Sequence, residues 1–389
     1  MTNAGTVTVS RRGVDRIKRG HPWVFRSDVA TAQGVEPGAL VHVADARGRP
    51  LGFAFYSSLS EIRLRMVSRE AALAPAFLRD RLAAAIRWRE TVAAGATACR
   101  LVHGEGDGLP SLIVDRYGDY VVVQTLSQAT ERLKGEIVAA LVELLQPRGI
   151  LERNDPRVRL LEGLEQTVGL LHGEVPETVQ VDEAGVRFEA DLWKGQKTGL
   201  FLDQRENHLT ARGYARGRVL DGFSYHGGFA LQVAPGADHV LAVDVSEEAV
   251  ARLRSNALRN GVANLEGRCA NVFDLLRELA ERGERFDTVI LDPPAFAKSK
   301  DAVERARRGY KDINLRAIRL LSPGGCLITC SCSYHVHEDD LEAILADAAV
   351  DAGATMTIVE KRRQGRDHPV VLGVPETYYL KCFVLRRLD

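Results

Sequence analysis

From about Val186 the chain alternates apolar, strand-like runs with helical stretches, and three of the runs end in an acid: Asp221, Asp244 and Asp292. A fourth run is Cys326-Leu327-Ile328-Thr329-Cys330, and the helical stretches include Glu247 to Asn260 and the segment after Asp301. This alternation predicts a parallel sheet wound on both faces, a Rossmann-like α/β architecture. In such sheets ligands sit beyond the carboxyl ends of the strands, where the three acids would converge.

The turn after the first acid narrows the ligand. Asp221-Gly222-Phe223-Ser224-Tyr225-His226-Gly227-Gly228 joins a strand end to an apolar helix start. Paired glycines allow a ligand to approach the backbone closely, and the helix start adds outward-pointing N–H groups. The strict dinucleotide fingerprint is missing, which argues against a pyrophosphate. An acid at the strand end suits a cationic, phosphate-free nucleoside such as S-adenosylmethionine (SAM), and Asp244 suits its ribose hydroxyls. A purely structural turn is the alternative at this stage.

At 389 residues the chain exceeds one ordinary core. Its 52 basic and 52 acidic residues cancel, so any nucleic-acid surface has to be local. No run of about twenty apolar residues could span a bilayer, and the N-terminus lacks a secretory apolar core. The six cysteines include no zinc-spaced CxxC set with histidine, so no metal is expected. A reduced, cytoplasmic protein follows, with thiols left for chemistry.

The chain ahead of the alternation reads as two smaller modules. Thr6 to about Val67 is β-rich, with strands at Val41–Asp45 and Leu51–Tyr56. Ile62-Arg63-Leu64-Arg65-Met66-Val67 alternates, which predicts one buried and one positive face. Arg11, Arg12, Arg16, Lys18, Arg19 and Arg26 crowd around His21-Pro22-Trp23-Val24-Phe25. Cations among aromatics suit phosphate contacts and base stacking, although Trp23 and Phe25 equally suit a core. A helix over Ala76 to about Ala94 leads to a second α+β segment. There Gly118-Asp119 predicts a hairpin, Glu131 to Leu145 a helix, and Ile150–Arg153 and Thr178–Val181 further strands. His103-Gly104-Glu105-Gly106-Asp107-Gly108 reads as a loop, because one histidine with flexible acids is not a ligand set. The boundaries expected are 1–72, 73–182 and 183–389.

Two motifs carry chemistry. In Leu291-Asp292-Pro293-Pro294-Ala295-Phe296 the prolines fix the backbone after a strand-end acid. A planar base could stack on Phe296 while Asp292 meets its hydrogen-bonding edge. In Thr329-Cys330-Ser331-Cys332-Ser333, Cys330 lies deeper in the strand and reads as core, whereas Cys332 reads as the reactive thiol. A thiolate adding at cytosine C6 makes C5 nucleophilic enough to attack a sulfonium methyl, and an acid near N3 stabilises the ring charge. No acceptor for the C5 proton is evident.

With these motifs the chain resembles, over nearly its full length, the RlmI-like bacterial methyltransferases that make 5-methylcytosine in large-subunit rRNA. Arg19-Gly20-His21-Pro22-Trp23-Val24-Phe25 is similar to that family's PUA RNA-binding domain, and Gly108 to Tyr117 to its small central domain. Lys197 to Arg205 resembles the segment that wraps over SAM, and Arg308 to Asn314 is also family-like. The resemblance implies Cys332 as nucleophile and Asp292, Pro293, Pro294 and Phe296 at the base. It implies SAM held by Thr198, Gly199, Phe201, Asp203, Asp221, Phe223, Ser224, Gly227, Gly228, Asp244, Val245, Ser246, Asn271, Val272 and Asp292. RNA would meet Arg12, Lys18, Arg19, Trp23 and Arg26, and a homodimer is left open. Asn271 stands where an acid is usual near the adenine, and Ala295 where some RNA cytosine enzymes carry a second cysteine. The rival readings are a guanine-N methyltransferase of the same fold, a non-catalytic RNA-binding assembly factor and, more distantly, a dinucleotide oxidoreductase.

Overall fold

The computed structural model describes residues 5–296 and 302–389. The chain forms two compact units, each discontinuous in sequence. The first holds Met1–Val181, Ala190–Leu202 and Arg366–Thr377; the second holds Asp182–Glu189, Asp203–Gly365 and Tyr378–Asp389.

The first unit contains two sheets. Strands β1 (Thr6–Val9), β2 (Trp23–Phe25), β3 (Val29–Thr31), β4 (Leu40–Asp45), β5 (Pro50–Tyr56) and β6 (Ile62–Ser68) assemble in the order β2-β6-β5-β4-β1-β3. Helix α1 (Arg11–Lys18) follows β1, and Ser10 caps it by accepting from the Gly13 N–H at 3.3 Å. Val7, Val9, Val24, Val41, Val43 and Leu64 form the core of this module. The long helix α2 (Phe77–Val92) leads to β7 (Ala98–His103), β8 (Leu112–Tyr117) and β9 (Tyr120–Thr125). Gly118 takes a φ of +60° in the β8–β9 turn, the left-handed geometry its Gly-Asp sequence predicts.

The helix expected over Glu131–Leu145 is divided. A short α3 (Gln128–Arg132), capped by Ser127, precedes α4 (Lys134–Leu145). Next come β10 (Gly149–Asn154) and β11 (Thr167–Gly173), giving a second sheet in the order β11-β10-β9-β8-β7. Its edge strand β11 was not foreseen. Strands β12 (Thr178–Glu183) and β13 (Val186–Asp191) pair as a two-stranded ribbon.

One sequence expectation fails in the first unit. β6 does not present a positive face: Arg63 and Arg65 are 8% and 6% exposed. Arg63 donates to the Ser57 carbonyl at 2.8 Å, and Arg65 pairs with buried Glu162 at 2.8 Å. The compensating acid lies 97 residues away, so the local alternation of apolar and basic residues could not reveal it.

The second unit is the doubly wound sheet. Helix α5 (Arg205–Tyr214) precedes β14 (Gly217–Gly222), α6 (Gly228–Val233), β15 (Ala237–Asp244), α7 (Glu247–Arg259), β16 (Leu265–Cys269), α8 (Val272–Glu281) and β17 (Phe286–Leu291). Then come α9 (Val303–Leu320), β18 (Leu321–Ser331), α10 (Glu338–Ala352), β19 (Met356–Arg363) and β20 (Lys381–Arg387). The strand order is β16-β15-β14-β17-β18-β20-β19. The first five are parallel, and β20 runs antiparallel between β18 and β19.

Alternate residues of each strand serve opposite faces. Leu220, Val243, Val289, Leu291 and Leu327 pack with α8, α9 and α10. Val219, Val240, Ala242, Ile290 and Ile328 pack with α5, α6 and α7. Burial on both faces is why these strands read as nearly continuous apolar runs.

Candidate active site

The site-forming loops of the second unit leave the carboxyl ends of β14, β15, β16, β17 and β18. Asp221, near the end of β14, is 0% exposed. Its Oδ2 accepts the Ala230 N–H at 3.1 Å, while its Oδ1 is buried without a hydrogen-bond partner. Burial, reinforced by Asp292, raises this carboxyl from 3.8 to about 7. A buried carboxylate oxygen with no donor is the feature a cationic ligand would complete. The residues present therefore fit SAM, whose ammonium and sulfonium are both positive.

The turn after Asp221 has an unusual backbone. Phe223, Tyr225 and Gly227 take φ values of +66°, +49° and +87°. For the first two this left-handed geometry is strained. The Tyr225 N–H donates to Asp244 Oδ2 at 2.9 Å, which helps to hold the turn. A Cβ on Gly228 would lie 2.5 Å from the His208 ring, so glycine there allows α5 and α6 to meet closely. His208 bonds Glu183 Oε1 at 2.9 Å; burial pulls its pKa down, but Glu183, with Asp292 and Asp221, leaves it raised. Neither His208 nor Glu183 stood out in sequence, because their pairing spans 25 residues.

Asp244 sits at the end of β15. Its two oxygens accept the Tyr225 and Ser246 N–H groups, each at 2.9 Å. A carboxylate has about four lone-pair sites, so acceptor capacity for ribose hydroxyls remains. Ser246 caps α7 through the Ala249 N–H at 3.2 Å, and the neighbouring Val245 is an exposed apolar side chain. Asn271 is exposed after β16 and caps α8, its Oδ1 accepting from Phe273 at 2.9 Å. Capping occupies the amide oxygen, leaving the NH2 as the group of Asn271 suited to a ring nitrogen. Val272, the first residue of that helix, is buried.

The β17 and β18 exits lie side by side because Leu291 pairs with Thr329. Asp292 follows directly, partly buried, its N–H 3.4 Å from the Gly222 carbonyl. Pro293 is buried and Pro294 exposed. Phe296 is half-buried against Tyr310, ring centroids 4.6 Å apart, and Phe273, at 5.7 Å. Cys330 is fully buried, and burial lifts its thiol well above the ordinary value. Cys332 is only partly buried, its Sγ 3.9 Å from the Pro293 carbonyl oxygen. Cys330 is thus a core thiol, and Cys332 is the more accessible of the two.

Asp203, expected at the cofactor, is buried: its Oδ2 accepts from Tyr379 OH at 2.8 Å and its carbonyl from the Gly365 N–H at 2.9 Å. Thr198, Gly199 and Phe201 belong to the first unit. The Thr198 hydroxyl donates to Asp115 at 2.7 Å and lies 2.9 Å from Tyr117 OH, and Lys197 lies 4.4 Å from the Phe201 ring centroid.

Among the basic candidates of the first unit, Arg12 is tied to Asp28 and to Ser27, and Arg26 faces Glu61 at 3.9 Å. Lys18 and Arg19 are exposed, and Trp23 is half-buried with its Nε1 on Glu105 at 2.9 Å. No metal-binding cluster of His, Cys, Asp and Glu occurs among the described residues, and no described helix is long and apolar enough to cross a membrane.

Family comparisons agree with this architecture. Residues 155–384 match the S-adenosylmethionine-dependent methyltransferase model, and residues 7–69 match a PUA-like domain. The chain is 41% identical to Ribosomal RNA large subunit methyltransferase I of Shigella boydii serotype 18, over 95% of this chain and 96% of that one. It is likewise 41% identical to the protein of that name from Klebsiella pneumoniae strain 342, over 95% and 94%. A SAM-dependent methyltransferase structure from Streptococcus mutans shares the fold at a TM-score of 0.82 and 22% identity, covering 98% of this chain and 100% of that one. A methyltransferase solved with SAH superposes at 0.83, again at 22% identity and with the same coverage. The buried strand-end acid, the doubly wound sheet and these matches have one explanation: the chain belongs to the SAM-dependent methyltransferase family that includes the ribosomal RNA large subunit methyltransferases I.

Proposed function

We propose that this enzyme methylates C5 of a cytosine in large-subunit rRNA, with Cys332 as nucleophile. The observation that carries the reading is the pairing of a reachable thiol with an acid on neighbouring strand exits, Cys332 after β18 and Asp292 after β17. In this reading the Cys332 thiolate adds to C6, and Asp292 meets the N3 edge of the ring. Bound SAM would supply the sulfonium methyl that C5 takes up, the thioether S-adenosylhomocysteine being the leaving group. Loss of the C5 proton to a base then breaks the S–C6 bond, returning the thiolate and the aromatic ring.

Further residues join the site by the same reading. Asp221, Phe223, Ser224, Gly227 and Gly228 would line the methionine side of the cofactor, and Asp244, Val245 and Ser246 the ribose side. Asn271 and Val272 would lie at the adenine, with Thr198, Gly199, Phe201 and Asp203 contributed by the segment preceding the catalytic core. Phe296, held against Tyr310 and Phe273, would offer the target base its remaining exposed surface. The PUA-like segment would take RNA through Arg12, Lys18, Arg19, Trp23 and Arg26. The three-way division at 1–72, 73–182 and 183–389 belongs to this reading and is supported by three separate large sheets.

The test is to incubate the protein with methyl-labelled SAM and unmodified large-subunit rRNA and to identify the labelled nucleoside. Labelled 5-methylcytidine that disappears in Cys332→Ala supports the proposal. Labelled methylguanosine, or methylation retained in that variant, overturns it.

A further inference from the structure

Lys381 is the first residue of β20 and only 1% exposed. Among the described residues it has no carboxylate within ion-pair distance; its Nζ donates to the carbonyls of Ser333, at 2.8 Å, and Tyr379, at 3.0 Å. Strand pairing sets Lys381 opposite Ser331. The charge is thus anchored to the residues on either side of Cys332, to 331 by strand register and to 333 by a hydrogen bond.

An ammonium buried on two neutral carbonyls is costly, and an apolar side chain would suit the surrounding Leu380-Cys382-Phe383-Val384 better. Burial brings Lys381 down to about 8, opposed by Cys332 first and then by Asp340 and Glu338. The groups around the thiol come from several elements. Asp292 follows β17, and Tyr310 on α9 bonds Ser333 Oγ at 2.9 Å. Glu338 and Asp340 open α10. Cys330 and Cys382 face each other across β18 and β20.

Most of these are committed elsewhere. Asp340 is paired with Arg307 at 2.6 Å, and Glu338 takes Lys361 at 3.4 Å and Tyr378 OH at 2.5 Å. Burial holds Tyr310 neutral, its pKa raised to about 12, and lifts Cys330 well above its ordinary value. Asp292 is assigned to the base edge in the reading above, which leaves Cys332, partly accessible and ahead of either acid in its effect on Lys381, as the group whose ionisation this cation can serve.

We propose that Lys381 is a positioning residue for methyl transfer: its ammonium, fixed by two carbonyls, stabilises Cys332 as the thiolate after the thiol proton has left to solvent. This deepens the functional reading above and rests on Cys332 being the nucleophile.

The test is the pH dependence of Cys332 alkylation by iodoacetamide in the full-length protein, followed by peptide mass spectrometry. The unaltered protein should react with a midpoint about one unit below the ~8.5 of a free cysteine. Lys381→Met should raise that midpoint by about one unit, cutting alkylation near pH 7 by ~10-fold, whereas Lys381→Arg keeps it low. A midpoint at or above ~8.5 in the unaltered protein overturns the proposal even where Lys381→Met does not fold. So does a folded Lys381→Met variant whose midpoint has not moved. Methylation retained by Cys332→Ala would instead sink the nucleophile assignment, a separate readout that leaves the alkylation result interpretable.

Discussion

The two units differ in how they treat buried charge. In the first, most buried ions are matched, although Arg63 rests on the Ser57 carbonyl. Arg89 grips both oxygens of Asp107, Arg100 holds Asp115 at 2.8 and 2.9 Å, Arg65 meets Glu162, and Arg159 meets Glu131 at 3.0 Å. In the second, the strand ends hold a buried acid with an unsatisfied oxygen, Asp221, and a buried base with only neutral acceptors, Lys381. Matched charges serve architecture, since each partner offsets the other's desolvation. An unmatched buried charge costs stability unless a ligand or a reacting group supplies its partner.

The sharpest way to test the chemistry of the unmatched region is Cys332→Ala. Methylation should fall by at least ~10³-fold while SAM binding, read by calorimetry, stays within about twofold. Loss of SAM binding as well would mean that the thiol supports the cofactor site rather than the base.

In the matched region, Asp107→Ala leaves Arg89 charged and buried. Urea unfolding should show a loss of about 3–5 kcal/mol. A loss below ~1 kcal/mol would erase the contrast, because the pair would then behave like an exposed one.

Asp221→Asn tests whether unmatched charge opposes stability. A carboxyl raised from 3.8 to about 7 favours the folded state fully below its unfolded value, and that contribution is lost as pH rises through about 7. At pH 8 the native acid is therefore a penalty. The amide should stabilise the ligand-free protein there by about 1–2 kcal/mol, with little effect near pH 4, while weakening SAM binding ~10-fold or more. Melting curves at the two pH values check the first part, and calorimetry the second. A variant less stable at pH 8 would show that Asp221 is structural.

The smallest effect is expected at the exposed cations of the PUA-like segment. Lys18→Ala and Arg19→Ala should each weaken rRNA binding a few-fold and reduce the salt slope by about one. Slopes unchanged in both variants would move the RNA surface elsewhere.

The parallel core was readable because strands buried on both faces keep near-continuous apolar runs, and helices between them keep their period. The antiparallel strands β19 and β20 were missed. β19 is largely exposed and mixed in composition, and β20 opens on a lysine, a residue type seldom buried unless paired. The acid-bearing loops and the burial of Cys330 were also legible. The state of those groups was not. That Asp221 Oδ1 lacks a donor, that Arg65 is buried on an acid 97 residues away and that Lys381 is held by a carbonyl 48 residues away are properties of the tertiary fold. Local pattern carries no record of them.

The discontinuity of the units has a consequence for how this enzyme can be divided. Residues 366–377 leave the methyltransferase unit to complete the other one, where Asp367 accepts the Arg100 N–H at 3.0 Å and its carbonyl accepts from Arg89 at 2.8 Å. The chain then returns to supply β20 and Lys381. No single cut yields two intact halves. A fragment starting near residue 182 carries 25 residues that belong to the other unit, 190–202 and 366–377, and the N-terminal remainder lacks the Asp367 carbonyl that accepts from buried Arg89. Domain exchange between relatives, in the laboratory or by recombination, would have to move at least two segments together, so the RNA-binding and catalytic parts are expected to be inherited as one piece.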